Sequence, residues 1–203
     1  ICLTRQRKSM MTAMESDRKK LDAVKWIVTR IDGKIASVST DWKGFGRVAA
    51  AVSSWPAGKI SEITCGKIST EELFSLAKTS VPEDFLLIGT PFQKRVWMQL
   101  YTLMHPAPES FRLYSYSDFA EMCGNLPGVR AIAHAVGQNP LPVIIPCHLI
   151  VPKETTDRIA MIEKEAETTL FGKEGLRFDK SFDFGHFSCP GGKLLKRSLI
   201  LRQ

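Results

Sequence analysis

Apolar and polar positions change period several times along the chain, and each change marks an element. Residues 24–40, VKWIVTRIDGKIASVST, alternate β-branched or apolar residues with polar ones on both sides of Asp32-Gly33. Such alternation interrupted by Asp-Gly predicts a β-hairpin, because both turn residues must take positive φ. Residues 41–68 are rich in Gly, Ala and Ser and show no clear period. Residues 70–78, TEELFSLAK, predict a short helix with acidic residues in its first turn, and Val81-Pro82 breaks it.

The signal strengthens at Thr90. Thr90-Pro91-Phe92-Gln93 is a capping box with proline at the first helical position. Phe92, Val96, Leu100 and Met104 then follow at i, i+4, i+8 and i+12, an apolar stripe on one helix face that His105-Pro106 ends. A second short helix is predicted over 117–123, with Gly124 as its C-cap. Asn125-Leu126-Pro127-Gly128 leads tightly into a third helix over 129–136. Two short helices about a Gly/Pro turn, the second carrying Arg130, read as a helix-turn-helix, although many core helix pairs share the pattern. Residues 143–145 and 149–151 are apolar β-formers interrupted by Pro146-Cys147-His148, so Cys147 is expected at a backbone irregularity in apolar surroundings.

Composition adds a partner class. The 203 residues are 44% hydrophobic and 24% charged, ordinary values for a folded chain with room for one large domain or two small ones. The net charge of +7 and a pI near 9.2 favour polyanionic partners, nucleic acid first. Residues 1–20 are basic and read as a solvated tail; the chain starts at Ile1, which is consistent with a trimmed start. Five widely spaced cysteines without CxxC make no disulfide framework and point to a reducing compartment, the nucleus if eukaryotic and otherwise the cytoplasm. No apolar run is long enough to span a membrane. The first histidine is His105, and Cys2 with Cys65 makes no plausible four-ligand set, so no metal is expected.

Cys147-His148 is the main candidate for chemistry. A thiolate with an imidazole nearby is a nucleophile. A buried structural cysteine that happens to precede a histidine is the commoner meaning of that dipeptide alone. Adjacent side chains on a strand face opposite ways, so cooperation between the two needs a turn or a bridging water.

The surrounding residues decide for chemistry. GTPFQKRVW (89–97), SYSDFA (115–120) and GNLPGVRAIAHAVGQNPLPVIIPCH (124–148), with a closing GGKLLKRSLIL, closely resemble the catalytic domain of the O6-alkylguanine-DNA alkyltransferases. The resemblance implies a DNA-repair protein that moves an alkyl group from guanine onto its own Cys147, irreversibly, once per molecule and without a cofactor. It implies a ribonuclease-H-like α+β domain over residues 1–88. A mostly α, winged-helix-like catalytic domain with a helix-turn-helix would follow over 89–203, and the protein would act as a monomer. The partner would be double-stranded DNA, entered through the minor groove, with the damaged nucleotide flipped out of the stack.

By resemblance, Cys147, His148, Tyr116 and Asn139 are catalytic. Tyr116 would protonate the base, His148 would act on Cys147 through a water, and Asn139 would hold the turn. Arg130 would fill the space the flipped base leaves. Ala131 and Ala135 would let the helix approach DNA, and His134 would contact phosphate or simply be exposed. Ile150 would read guanine through its carbonyl, Val136 and Pro142 would be pocket walls, and Ser188 would lie beside guanine O6. Lys196 matches the lysine of the family's closing helix. Tyr116 also reads as a core tyrosine and Arg130 as a solvated helix residue.

Three departures stand out. Leu149 replaces the family's arginine after the Pro-Cys-His motif. Gln203 replaces a glutamate that orients the histidine, and its α-carboxylate would stand in if the chain ends there. The connection over 152–185 is long, with a charged helix expected over 157–170, either altering access to the pocket or making a passive excursion. The loop after it aligns either Phe187-Ser188 or Cys189-Pro190 with the family's Tyr-Ser; the former keeps a backbone N–H where Pro190 has none. The rival readings are a lesion-binding relative that has lost the transfer step, kept open by Leu149 and Gln203, and a cysteine hydrolase, which leaves Arg130 and the helix pair unexplained.

Overall fold

The computed structural model describes residues 19, 21–56, 58–105, 112–168, 182–189 and 191–202. Within them the fold is mixed α/β, with a three-stranded antiparallel sheet, a two-stranded parallel pair and seven α-helices.

The predicted hairpin forms. Strands β1 (Lys25–Ile31) and β2 (Lys34–Ser39) pair antiparallel about Asp32 and Gly33, whose φ values of 48° and 80° are those that Asp-Gly tolerates. Asp32 does more than turn: its Oδ1 accepts from the backbone N–H groups of Ser61 and Glu62, tying in the segment before β3. β3 (Ile63–Ser69) adds to the other side of β1, giving the order β2-β1-β3. The unclear stretch thus contains β3 and helix α1 (Lys43–Val52), which lays Gly44, Val48 and Val52 on β2. Gly44 is required there because a Cβ would overlap Ser39 Oγ. Helix α2 (Thr70–Thr79) starts on a capping box, Ser69 with Glu72.

Helix α3 (Pro91–Tyr101) carries the predicted Thr90–Gln93 capping box, and its apolar side buries Val96, Trp97 and Leu100. Gly89 lets the chain cross the Trp97 indole, which a Cβ would meet at 2.6 Å. Strand β4 (Tyr114–Ser115) leads into α4 (Tyr116–Met122), capped by Ser115 and Asp118. A Schellman motif ends α4: Asn125 N–H donates to the Ala120 carbonyl, Gly124 N–H donates to that of Glu121, and Gly124 has φ 67°. A 3-10 turn over Leu126–Gly128 then feeds α5 (Val129–Gly137).

The apolar run at 143–145 departs from expectation, forming a turn rather than a strand. Prolines at 140, 142 and 146 remove three ladder donors. Asn139 takes their place, accepting from Leu141 N–H at 3.0 Å and donating to the Ile145 carbonyl at 2.8 Å. Val143 is held at φ 75°, a costly conformation for a β-branched residue that the surrounding bonds impose. Strand pairing survives only at β5 (Ile150–Val151), parallel to β4.

The expected charged helix is α6 (Lys153–Thr168), which begins four residues earlier than predicted. The rest of the long connection, through residue 181, lies outside the described residues. Helix α7 (Gly192–Ile200) closes the chain by burying Leu195, Lys196, Leu199 and Ile200. One hydrophobic core runs from Trp26 and Val28 in β1 through Trp97 and Phe119 to Leu199; a smaller cluster of Ile31, Ala36, Val48 and Val52 lies under α1. The Val38 N–H donates to the Pro140 carbonyl at 2.8 Å, so the β2 edge directly supports the Asn139 turn.

Candidate active site

The Asn139 turn delivers Cys147 to a cavity of about 270 Å³. The chain reverses at Pro146 (φ −81°, ψ 58°), where the Cys147 N–H donates to the Ile145 carbonyl at 2.8 Å, an inverse γ-turn. A single 3-10 turn, Cys147–Leu149, follows, so Cys147 and His148 are not on opposite faces of a strand. Cys147, His148 and Leu149 are all buried. Leu149 joins the apolar core at 1% exposure, so packing holds this turn.

Tyr116, His134, Val136, Asn139, Pro142, Cys147 and Ser188 line one cavity, so the structure brings together seven expected site residues from four separate stretches of chain. Tyr116 is the first residue of α4, and Val136 and Asn139 lie at and just beyond the end of α5. Ser188 covers Gly137, whose missing side chain matters: a Cβ there would meet Ser188 Oγ at 3.1 Å. Ala133, Gln138 and His186 also line the cavity and went unread in the sequence; Cys189, from the alternative loop alignment, lines it too. For Ala133 and Gln138 a signal existed, since both flank the α5 C-terminus beside residues already singled out.

Burial keeps Cys147, His148 and Tyr116 neutral at rest. Burial pushes the Cys147 thiol up, opposed by a hydrogen bond involving Asn139 and by the nearby Lys196 charge. Burial, with Lys196 adding to it, holds the His148 pKa down to about 3, so the imidazole is neutral. Tyr116 is pushed up by burial and by Cys147, which keeps its phenol protonated as a donor. Lys196 is 1% exposed, and its Nζ donates to the Ile150 carbonyl at 2.6 Å. Burial lowers its pKa to about 8. The Ile150 carbonyl is thus engaged by Lys196 through one lone pair and retains a second.

Along α5, Arg130, Ala131 and His134 share an exposed face, and His134 reaches the cavity mouth. Ala135 corrects the expectation of a surface-approach residue. It is 1% exposed, and its carbonyl accepts from Trp97 Nε1 at 2.8 Å, so its small side chain serves the packing of α5 on α3. Gln203 lies outside the described residues. Among the described residues, no group of three or more His, Cys, Asp or Glu is placed to hold a metal. No described helix is long and apolar enough to cross a membrane.

Comparison with known proteins points the same way as the motifs. Residues 91–175 match the family model described as 6-O-methylguanine DNA methyltransferase, DNA binding domain. The resemblance read from residues 89–148 is thereby shown for the stretch that carries Cys147. Among curated proteins, the chain is 46% identical over 70 residues to the "Probable methylated-DNA--protein-cysteine methyltransferase" of Acanthamoeba polyphaga mimivirus, covering 34% of this chain and 44% of that protein. It is 28% identical over 114 residues to the methylated-DNA–protein-cysteine methyltransferase of Shigella flexneri, covering 56% and 58%. The chain therefore spans about half the length of these relatives. A solved O6-methylguanine-DNA methyltransferase from Pyrococcus kodakaraensis strain KOD1 superposes with a TM-score of 0.43 at 22% identity, covering 64% of this chain and 80% of that one.

Proposed function

We propose that this protein repairs DNA by irreversible, single-turnover transfer of the alkyl group from O6-alkylguanine to Cys147. The observation that carries the reading is the convergence of Cys147, Tyr116, Asn139 and Ser188 on one small cavity beside the exposed Arg130 face of α5. The domain assignment that goes with it is a ribonuclease-H-like unit over 1–88 and a winged-helix-like catalytic unit over 89–203, with α4 and α5 as a helix-turn-helix.

A thiol buried at this depth cannot reach a base inside a stacked duplex, so the nucleotide must be turned out into the cavity. The exposed face of α5 would lie in the minor groove, with Arg130 filling the vacated stack. Cys147 Sγ attacks the alkyl carbon in line: the S–C bond forms, the C–O6 bond breaks, and its electron pair stays on guanine. Tyr116, kept protonated by its surroundings, donates to N3 of the departing base. The thiol proton passes through a water to neutral His148. Because burial disfavours both thiolate and imidazolium, the pair rests neutral and ionises only as the alkyl group closes on sulfur. Lys196 offsets the thiolate charge and, through Ile150, holds the strand after the nucleophile. The second lone pair of the Ile150 carbonyl is left for the exocyclic amine of guanine, and the Ser188 backbone would meet O6. The thioether is chemically stable, so each molecule acts once and needs no cofactor.

Intact-mass spectrometry after incubation with a duplex containing O6-methylguanine tests this. The wild-type chain is expected to gain one methyl group on Cys147, and Cys147→Ser none. Lesion-selective binding without any mass gain would instead identify a binding protein that has lost the transfer step.

A further inference from the structure

A second cavity, of about 290 Å³, abuts the first and shares Gly137, Gln138, Asn139, Ser188 and Cys189 with it. It lies between α1, the inner end of β2 and Trp97 of α3, none of which the proposed transfer step uses. Its walls mix apolar residues, Val38, Val48, Ala51 and Ile88 among them, with polar ones such as Ser39, Gln93, Gln138 and Asn139. Ser37 and Arg47 are the two polar lining residues that bear on an anionic ligand. Ser37 is 5% exposed, and its Oγ is buried without a hydrogen-bond partner among the described residues. Leaving a hydroxyl buried and unpaired is costly, and native structures rarely do so without a reason. Gly44 lines the cavity beside Ser37, and a Cβ there would lie in ordinary contact, 3.7 Å, with Ser37 Oγ. Arg47, an exposed residue of α1, also lines the cavity and brings a positive charge to it. No carboxylate is among the lining residues; the nearby Asp41 turns its Oδ1 to the Lys43 N–H at the start of α1.

We propose that this cavity is a sub-site for the distal part of long O6 substituents and that it favours chains ending in a carboxylate. The proposal rests on the reading of the Cys147 cavity as the O6-alkylguanine site. A methyl group needs only the first cavity. A longer chain leaves the reacting carbon to one side of the S–C–O6 line, and the two cavities adjoin along Gly137, Gln138, Asn139, Ser188 and Cys189, so it extends across that shared border into the second. Methylenes then meet the apolar walls. A terminal carboxylate accepts from Ser37 Oγ, giving the orphaned hydroxyl an acceptor, and pairs with the Arg47 charge. Cys189, pushed up to about 12 mainly by burial, lines the shared border as a neutral thiol, where the Arg47 and Asp41 charges act with opposite sign.

The test uses Cys147→Ser, which cannot react, and duplexes carrying O6-methyl-, O6-pentyl- or O6-(4-carboxybutyl)guanine, with Kd read by fluorescence anisotropy. The carboxybutyl duplex is expected to bind at least tenfold tighter than the pentyl duplex. Adding Ser37→Ala and Arg47→Gln together should reduce that preference to within twofold. Adding Ala51→Phe, which fills the cavity, should weaken both long-chain duplexes tenfold or more and leave the methyl duplex within twofold, an arm that also reports intact folding. Equal affinity for the pentyl and carboxybutyl duplexes, or equal weakening of all three by Ala51→Phe, would overturn the sub-site. The transfer reading fails separately, if wild-type protein takes no methyl group onto Cys147, and the binding series judges the sub-site in either case.

Discussion

Lys196 Nζ donates to the Ile150 carbonyl at 2.6 Å, a bond that joins the closing helix to the strand leaving the nucleophile's turn. A lysine at 1% exposure is costly to bury as a cation, yet its charge is one of the few influences favouring the Cys147 thiolate. One residue thus sets both the position and the electrostatics of the turn. Its backbone surroundings are equally tight: a Cβ on Gly185, whose φ is 77°, would lie 2.9 Å from Pro152 Cδ and 3.8 Å from Lys196 Nζ.

Lys196→Met keeps the length and removes the charge. The Cys147 thiol should then rise further, because the Lys196 charge lowers it in the wild type. Single-turnover methyl transfer is expected to slow about tenfold or more near neutral pH, with the rise of rate displaced to higher pH. Stability should change less, since the lost charged hydrogen bond, worth about 1.5–3 kcal/mol, is offset by no longer burying a cation. A pH–rate profile identical to wild type would remove Lys196 from the chemistry.

His148 makes the fold acid-sensitive. Its folded pKa is about 3 against 6.5 for the free side chain. Between those values the unfolded chain binds a proton that the folded one does not, so stability falls as pH falls. The expected slope is about 1.4 kcal/mol per pH unit below about pH 6.5, flattening near 3. Urea denaturation of wild type and His148→Gln between about pH 4 and 7 checks this: the wild type should lose stability more steeply by that amount, and parallel curves would refute it.

Much of the frame was legible because it rests on local chemistry. Asp32-Gly33 specifies its own turn, and Thr90 with Gln93 and Gly124 with Asn125 specify the ends of α3 and α4 without reference to the rest of the chain. What stayed hidden depends on tertiary contacts. β3 has an exposed, glycine-containing edge with no buried alternation to read, and α1 carries two glycines that packing on β2 overrides. Val143–Ile145 has strand composition, but Asn139 and three prolines turn it back. Ala135 and Lys196 mislead in opposite ways: a small residue beside the exposed positions of α5 proves to be core, and a lysine in a basic helix proves to be buried.

Asn139→Ala removes both bonds that brace the turn, leaving the buried Ile145 carbonyl without its side-chain donor. A loss of about 1–3 kcal/mol is expected, visible as a lower denaturation midpoint. Transfer should suffer beyond this, because the strained Val143 can relax and move Cys147. Asn139→Asp restores only the acceptor to the Leu141 N–H, so rescue of stability should be partial. Full rescue would show that the Ile145 bond is dispensable.

Tyr116→Phe separates proton donation from packing, because the ring still fills its half-buried position at the mouth of α4. The rate of methyl transfer should fall by roughly 10²- to 10⁴-fold, the usual contribution of a positioned general acid. Affinity of the Cys147→Ser protein for the lesion duplex should change little when Tyr116→Phe is added. A rate within threefold of wild type would leave Tyr116 a wall residue only.

Arg130→Ala tests the link between the exposed face of α5 and the cavity. Arg130 and Ala131 lie on that face with His134, and none of the described contacts of Cys147 involves them. If Arg130 occupies the space left by the flipped nucleotide, its loss penalises extrusion from the duplex and leaves the pocket intact. Repair of O6-methylguanine in duplex DNA should therefore fall sharply, by roughly the tenfold to several-hundredfold that a few kcal/mol of unstacking represents. Reaction with free O6-benzylguanine, which needs no extrusion, should stay within about threefold of wild type. Equal loss on both substrates would place the effect of Arg130 in the pocket or the fold and would rule out the role of a finger in the DNA.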